Sequence, residues 1–226
     1  MTKEDSNKDL EIKFWKTISD ALWHAGVIQI NTKQLFTLSS GKKSPFYLDH
    51  RRLFSHPEIR TLALSLWAEM LKNHFNHGNS KPLFAQNYFL VGTATAGIAP
   101  AFGLAEILEC HFNYARSEPK KHGMGKCLEG MPPPKGAQAI VIEDMITTGG
   151  SAQRVVNRLQ EEGVEVAGIS SWCRDPGPQA ALLFKSMKLN WHWIFKSEDY
   201  FNECAPYAHF TQQEREICLQ YLESKL

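Results

Sequence analysis

The stretch that decides the fold is Ala139-Ile140-Val141-Ile142-Glu143-Asp144-Met145-Ile146-Thr147-Thr148-Gly149-Gly150-Ser151. Its apolar beginning predicts a buried strand, and the periodicity of residues 152–162 predicts that a helix follows. Two adjacent carboxylates are therefore expected at the carboxyl end of a strand, before a turn rich in glycine and hydroxyl groups. Ligands of open α/β sheets bind at this edge. The stretch is the centre of a candidate binding site.

The turn and the two acids suit different parts of one ligand. Backbone N–H groups in the turn and the dipole of the following helix favour a phosphate. The carboxylates of Glu143 and Asp144 repel phosphate, so sugar hydroxyls or a phosphate-bound magnesium ion suit them better. A phosphate beside a diol is the outline of a ribose 5-phosphate. The alternative is that this stretch is only a core strand followed by a capped helix and binds no ligand. We favour it less, because two adjacent acids at the end of a buried strand lower stability unless they have a function.

Outward from this stretch, strands and helices alternate along most of the chain. The alternation predicts an α/β fold with a mostly parallel sheet and helices on both faces. Two capping boxes, Ser55-x-x-Glu58 and Thr211-x-x-Glu214, predict the starts of two more helices. The predicted strands cover residues 88–91, 110–114, 139–142, 164–169 and 191–195, and the predicted helices cover residues 98–108, 152–162 and 175–187.

Residues 1–55 do not follow this alternation. A helical stripe of apolar residues covers 14–25, and two short strands are predicted at 35–38 and 45–48. We expect residues 1–55 to form a small N-terminal helix and hood beside one compact α/β core of residues 56–226.

Two further segments have the composition of anion-binding loops. Gly92 to Gly97 is a small-residue turn after a predicted strand, and its backbone N–H groups could cradle a pyrophosphate, although a plain strand–helix turn is a fair alternative. Ala115 to Gly136 is a 22-residue segment without periodicity, which contains Arg116, Lys120 and His122. Long irregular loops are usually functional, and these cations could neutralise a leaving pyrophosphate. A solvated loop with incidental charges is the alternative.

The composition excludes several classes of protein. Lys and Arg number 25 against 24 Asp and Glu, so the net charge of +1 argues against a general nucleic-acid binder. No apolar run approaches about 20 residues, so no membrane span is expected. The polar N-terminus lacks the apolar core of a signal peptide. Five widely spaced cysteines without a CxxC pair indicate reduced thiols, and we expect a cytoplasmic protein.

Four segments together resemble the orotate phosphoribosyltransferases, a branch of the type I phosphoribosyltransferase family. One is the opening stretch, which resembles the family's signature for 5-phosphoribosyl 1-pyrophosphate (PRPP), and the others are residues 36–47, 92–98 and 114–123. With their flanks they span about residues 14–196. The resemblance implies that orotate and PRPP give orotidine 5′-monophosphate and pyrophosphate in de novo pyrimidine (UMP) biosynthesis.

The resemblance also implies roles for individual residues. Lys120, His122 and Asp144 are the catalytic candidates. Orotate would be bound by Thr147, Arg174, Phe46 and Tyr47, although a surface ion pair for Arg174 and core packing for the aromatic rings are alternatives. PRPP would be bound by Arg116, Lys120, His122, Glu143, Asp144, Met145, Ile146, Thr147, Thr148, Gly149, Gly150, Ser151, Thr95 and Ala96.

The resemblance further implies a cofactor and an assembly. Mg²⁺ would be bound mainly through PRPP, with Asp144 as the one candidate for direct contact. The basic loop would reach across a homodimer into the neighbouring active site. Some members carry lysine at the positions of Ser39 and Ser117, so Lys42 or Lys43 and Lys121 are candidate replacements for those charges.

Two other functions remain open from the sequence. A related phosphoribosyltransferase could use a purine or a salvage pyrimidine instead of orotate. A non-enzymatic regulator could sense PRPP through the same fold, but it would not need the basic loop and would usually carry an added DNA-binding segment. No such segment is evident in the sequence.

Overall fold

The structure is a computed structural model of the 226-residue chain, and it describes residues 17–38, 41–75, 84–116, 127–175, 177–203 and 209–226. The chain divides into two compact units. One unit comprises the residues up to Arg60 together with those from Lys196 onward, and the other, here called the core unit, is Thr61–Phe195. The first break lies near the predicted boundary at residue 55. The C-terminal segment, which was expected in the core, groups with the N-terminal segment.

The order of helices and strands follows the expected alternation in the core unit. In chain order the elements are α1 (residues 17–24), β1 (Ile28–Ile30), β2 (Phe36–Thr37), β3 (Lys43–Ser44), β4 (Phe46–Leu48), α2 (His50–Ser55), α3 (Pro57–Phe75), α4 (Phe84–Asn87), β5 (Tyr88–Thr93), α5 (Ile98–Leu108), β6 (Phe112–Ala115), β7 (Leu128–Glu129), β8 (Gln138–Ile146), α6 (Gly150–Glu161), β9 (Val166–Arg174), α7 (Pro178–Ser186), β10 (Asn190–Lys196), α8 (Asp199–Asn202) and α9 (Gln212–Glu223).

The core unit is built on a six-stranded sheet with the order β10-β9-β8-β5-β6-β7. The pairs β6–β5, β5–β8 and β8–β9 are parallel, and β7 is antiparallel to β6. Strands β5 and β8 are almost continuously apolar and buried, as parallel strands covered on both faces must be. The mostly parallel sheet that the sequence predicted is confirmed.

Helix α6 covers the sheet with one apolar stripe. Its buried residues are Ala152, Val155, Val156 and Leu159, at the i, i+3, i+4, i+7 spacing of a single helix face. They pack in one cluster with residues of β5, β8 and β9. Full burial of each larger aliphatic side chain stabilises the fold by roughly 1.5–3 kcal/mol. This packing fixes the N-terminus of α6 at the end of β8.

One predicted helix start is confirmed and another is wrong. At Thr211, the side chain accepts a hydrogen bond from the Glu214 N–H (3.2 Å), and Glu214 Oε2 accepts one from the Thr211 N–H (2.8 Å). At Ser55, the hydroxyl instead donates to the Arg51 carbonyl (3.1 Å), because Ser55 is the last residue of α2. Helix α3 begins at Pro57, where the missing N–H of proline costs nothing.

Several boundaries also differ from the sequence prediction. Strands β8 and β9 extend beyond their apolar runs, so that Glu143 and Asp144 lie inside β8. Helix α7 begins at Pro178 and not at Asp175. The segment predicted to lack regular structure contains β7. Lys120, Lys121, His122, Ser39 and Ser117 lie outside the described residues.

The other unit contains two antiparallel strand pairs, β1–β4 and β2–β3, together with α1, α2, α8 and α9. Phe46 lies at its centre, with its ring centroid 4.8 Å from that of Phe201 and 5.7 Å from that of Tyr221. Across the described residues of both units, no helix has the length and apolar character that a membrane span needs.

Candidate active site

The candidate site lies where the connections of the sheet change direction. The chain leaves β5 through α5 to reach β6 on one side, and it leaves β8 through α6 to reach β9 on the other. Because β5 and β8 are neighbours, their carboxyl ends open a crevice between two diverging connections. This is where ligands bind in open α/β sheets. The two predicted anion-binding turns, after β5 and after β8, therefore meet at one edge.

Glycines allow the turn after β5 to lie against β8. Thr93 Oγ1 donates to the Ile142 carbonyl (3.1 Å), and the Gly97 N–H donates to the Thr93 carbonyl (3.0 Å). A Cβ on Gly97 would collide with the Ile142 carbonyl, and one on Gly92 would lie 2.7 Å from the Gly97 carbonyl. The turn is thus packed closely against β8. Thr95 is exposed in it, and the peptide bond between Ala94 and Thr95 is cis.

The acid pair lies in β8 beside this turn. Glu143 is buried (7% exposed), whereas Asp144 is half-buried. The pKa of Glu143 is raised to about 7, chiefly by burial and also by the neighbouring Asp144, while a hydrogen bond with Thr93 and the charge of Arg154 act in the opposite direction. Near neutral pH the Glu143 carboxyl is therefore protonated part of the time. It can accept a hydrogen bond from a sugar hydroxyl or donate one to it.

The turn after β8 presents exposed hydroxyls and the start of α6. Thr147, Thr148 and Ser151 are exposed. Gly149 adopts φ +82°, a left-handed conformation, and its missing Cβ leaves room for the ring of Phe184. As N-cap of α6 it contributes no side-chain cap. Amide groups in such a first turn favour an anion.

Met145 and Ile146, also predicted to contact the ligand, complete β8. Ile146 is buried in the apolar core, and its carbonyl accepts a hydrogen bond from the Asp175 N–H (2.8 Å). Met145 is half-buried and pairs with Cys173 of β9. The Ile146 side chain is therefore part of the core, and its contribution to the site is to fix where Thr147 begins the turn.

Arg116 follows β6 at the same edge of the sheet. It forms an exposed ion pair with Glu129 (3.4 Å). Together with Arg154 and Arg158 of α6 it lines a depression whose other walls are Thr93, Ala94, Ala115, Ser151 and Val155. Sequence reasoning missed the two arginines of α6. Their signal was the spacing of Ser151, Arg154 and Arg158 on one helix face directly after the turn that follows β8.

The structure brings Arg174 and Thr147 together. Arg174 ends β9 and pairs in register with Ile146, the residue before Thr147. Its guanidinium lies over the ring of Trp193, 4.8 Å from the centroid, and donates to the Asp175 carbonyl (3.3 Å). Stacking on the indole holds the guanidinium near this edge of the sheet.

The two aromatic candidates belong to the other unit. Phe46 is 5% exposed and fills the interior of that unit. Tyr47 is half-buried, and its hydroxyl accepts a hydrogen bond from Arg51 (3.1 Å). Of the two rings, Tyr47 is the one with surface available to a ligand.

The acid pair has suitable donor atoms for magnesium. No group of three or more His, Cys, Asp or Glu side chains in the described part of the chain could hold a metal ion. Carboxylates are the hard oxygen ligands that Mg²⁺ prefers, and Mg²⁺ usually completes its shell with phosphate oxygens and water. The residues fit an ion that is held mainly by its substrate.

Comparison with known sequences gives a family. The model of the phosphoribosyl transferase domain matches residues 59–200. The orotate phosphoribosyltransferase of Bacillus mycoides is 38% identical over 156 residues, which cover 69% of this chain and 70% of that protein. The orotate phosphoribosyltransferase of Bacillus caldolyticus is 38% identical over 154 residues, covering 68% and 69%.

Solved structures share the fold. The UMP synthase of Leishmania donovani superposes with a TM-score of 0.74 at 22% identity; the match covers 92% of this chain and 42% of that longer chain. The orotate phosphoribosyltransferase of Aeropyrum pernix gives a TM-score of 0.66 at 24% identity, covering 83% and 98%. The predicted type I phosphoribosyltransferase fold is confirmed. With its domain match and its relatives, the chain belongs to the orotate phosphoribosyltransferase family.

Proposed function

We propose that the chain transfers the ribose 5-phosphate group of PRPP to orotate, which yields orotidine 5′-monophosphate and pyrophosphate for pyrimidine biosynthesis. The observation that carries this proposal is the adjacency of β5 and β8. It brings three features to one edge of the sheet: the turn of residues 92–97, here called the pyrophosphate turn, the acid pair Glu143 and Asp144, and the turn of residues 147–151, here called the phosphate turn. The relatives named orotate phosphoribosyltransferase support orotate as the acceptor.

The reaction breaks the bond from the anomeric carbon to pyrophosphate and forms a bond from that carbon to a ring nitrogen of orotate. The carbon gains oxocarbenium character, so the protein has to position the reactants and stabilise charge. Thr147 to Ser151 hold the 5-phosphate. Glu143 and Asp144 hold the ribose hydroxyls, and the backbone around Thr95 and Ala96 holds the pyrophosphate.

Cations stabilise the departing pyrophosphate. Arg116 contributes a guanidinium at the end of β6, and we assign Lys120 and His122 to the same task from the family resemblance. Since Ser39 and Ser117 stand where some members have lysine, Lys42 or Lys43 and Lys121 supply those charges. Asp144 is the candidate protein ligand for Mg²⁺, which would bind mainly through PRPP and would neutralise phosphate charge there.

Orotate binds beside the phosphate turn. Arg174 presents a guanidinium that suits a carboxylate, and Thr147 presents a hydroxyl next to it. Tyr47 and Phe46 stay predictions from the resemblance. The working unit is a cytoplasmic homodimer with shared active sites.

The direct test measures the loss of orotate absorbance with PRPP and Mg²⁺. Turnover with orotate and none with uracil, adenine or hypoxanthine supports the proposed reaction. Turnover with one of those bases instead of orotate assigns the chain to another phosphoribosyltransferase activity. PRPP binding without turnover on any base favours the regulator.

Shared sites are tested by mixing two inactive variants. A Lys120→Ala chain lacks the loop cation, and an Asp144→Asn chain lacks the acid, so one of the two composite sites in a mixed dimer is intact. Partial recovery of activity supports sharing. Mixed dimers that are verified but stay inactive contradict it.

A further inference from the structure

We propose that Arg116, Arg154 and Arg158 form a phosphoanion subsite that extends from the phosphate turn along α6, and that it receives the pyrophosphate released in the reaction. Arg116 is shared with the PRPP site proposed above, whereas Arg154 and Arg158 have no role in it. The identification of the anion as pyrophosphate rests on the proposed function.

The subsite is a depression within the core unit. Ser151, Arg154 and Arg158 are spaced by three and four residues and form one wall from a single face of α6. At 1.5 Å per residue, Ser151 and Arg158 are about 10 Å apart along the helix axis. The opposite wall comes from the ends of β5 and β6, with Ala94 and Arg116. The depression therefore begins at the phosphate turn and continues one to two helical turns beyond it.

The charges in this depression are unbalanced. Among the residues that the structure describes, its eight lining residues include three arginines and no acid, although Arg154 also acts on the buried Glu143. Neither Arg154 nor Arg158 lies within 4.0 Å of a carboxylate oxygen among the described residues, and Arg154 donates to the Ser151 hydroxyl (3.2 Å). Arg116 is paired with Glu129, but its side chain is 44% exposed and the ion pair is correspondingly weak. Like charges four residues apart destabilise a helix, and a bound anion removes that repulsion.

The donors suit a phosphoanion of more than one phosphate group. A guanidinium presents a planar fork that matches phosphate oxygens in pairs. Arg154 and Arg158 are about 6 Å apart along the helix axis, and with Arg116 opposite them the three groups suit the length and charge of a diphosphate better than those of one inorganic phosphate. Thr93 and Ala94 connect the depression to the turn that holds the pyrophosphate of PRPP. The subsite thus adjoins the turn from which pyrophosphate is released.

The first test measures direct binding of pyrophosphate, with inorganic phosphate as the second probe. The variant is Arg158→Gln, and the matched control is Lys185→Gln, which also removes a cation from the last turn of a helix. Calorimetric titration should show about tenfold weaker pyrophosphate binding for Arg158→Gln, the loss expected for one charge-assisted hydrogen bond, and a change below twofold for the control. Arg158→Lys should recover part of the affinity. Circular dichroism checks that each variant is folded.

Two results of the titration would overturn the proposal. Pyrophosphate binding by Arg158→Gln within twofold of wild type would show that Arg158 contacts no anion. Inorganic phosphate binding as tightly as pyrophosphate, with the same dependence on Arg158, would show a general phosphate site and not a product site.

Kinetics separate the subsite from the PRPP position. If the subsite binds pyrophosphate after release, Arg158→Gln raises the pyrophosphate inhibition constant by about tenfold and KM for PRPP by a smaller factor. A parallel rise in both constants would place Arg158 at the PRPP position and overturn the subsite. A wild-type protein without turnover would contradict the proposed function, while the titration would still test whether the arginines bind the anion.

Discussion

The burial of Glu143 predicts a measurable dependence of stability on pH. The carboxyl is 7% exposed inside β8, and its pKa is raised from 4.5 to about 7, chiefly by burial. Between these two values the folded chain binds more protons at this group than the unfolded chain does. The free energy of unfolding therefore falls as pH rises through this range. The loss levels off about one pH unit above the folded pKa.

The magnitude follows from the two pKa values. Linkage gives a loss of about 2–3 kcal/mol between pH 5 and pH 8 from this one group. Glu143→Gln keeps the size and stays neutral at every pH, so it should be more stable than wild type by about 3 kcal/mol at pH 8. At pH 5 the difference should fall below about 1 kcal/mol. The proposed function also predicts lower activity for Glu143→Gln, because an amide replaces the carboxylate that accepts hydrogen bonds from the ribose hydroxyls.

Urea unfolding at pH 5, 6, 7 and 8 measures this difference directly. Subtracting the wild-type curve from the variant curve removes the titration of all other groups. Glu161→Gln is the matched control, since it makes the same chemical change at an exposed position of α6. A flat difference for Glu143→Gln would refute the argument that burial at this strand position holds a proton.

Three further variants test the site and the core around it. Asp144→Asn should keep the fold and lose most turnover at saturating substrate, and near-normal turnover would remove Asp144 from the chemistry. Gly97→Ala should lower the free energy of unfolding in urea by about 3 kcal/mol, because the added Cβ collides with the Ile142 carbonyl. Gly150→Ala adds a Cβ that makes only ordinary contacts, so it should change this free energy by less than about 1 kcal/mol. Ser170→Ala should lower the free energy of unfolding by about 1–3 kcal/mol in the same assay. The Ser170 hydroxyl bonds to the buried Trp67 N–H (2.7 Å) and to His192 (2.9 Å), and the variant leaves both without this partner. An unchanged unfolding curve would show that other groups replace the hydroxyl.

The elements with a local sequence signal were predictable. The periodicity of α6, the capping box at Thr211 and the apolar runs of β5 and β8 all depend on neighbours within a few residues. The phosphate turn was predictable for the same reason, because Gly149 is required by its own φ angle. Each of these features is determined by residues that are close in sequence and does not depend on distant contacts.

The end of β8 was not predictable from local polarity. Two acids after an apolar run resemble the start of a loop, but β8 continues through Ile146 because β9 pairs with it as far as Arg174. The same tertiary pairing buries Glu143 and produces its raised pKa. The capping box predicted at Ser55 was wrong because Ser55 is the last residue of α2, and its hydroxyl donates to a carbonyl within that helix.

The arginines of α6 illustrate a third limit. On the sequence alone, Arg154 and Arg158 are the polar face of an amphipathic helix, which is usually solvated. Only the packing of α6 against β8, with β5 and β6 beside it, brings that face opposite Arg116. A binding surface assembled from three separate elements has no single motif. The division of the chain is similar, because residues from Lys196 onward join a unit whose other part is about 140 residues earlier.

Arg154 links the two charged features of the site. Its positive charge lowers the pKa of Glu143, in opposition to burial and to Asp144. An anion bound at the arginines offsets that positive charge, so the pKa of Glu143 then moves further up and the carboxyl takes up a proton near neutral pH. When the anion leaves, the attraction of Arg154 returns and the proton is released. If the proposed subsite binds pyrophosphate, that anion and the proton on Glu143 should therefore stabilise each other.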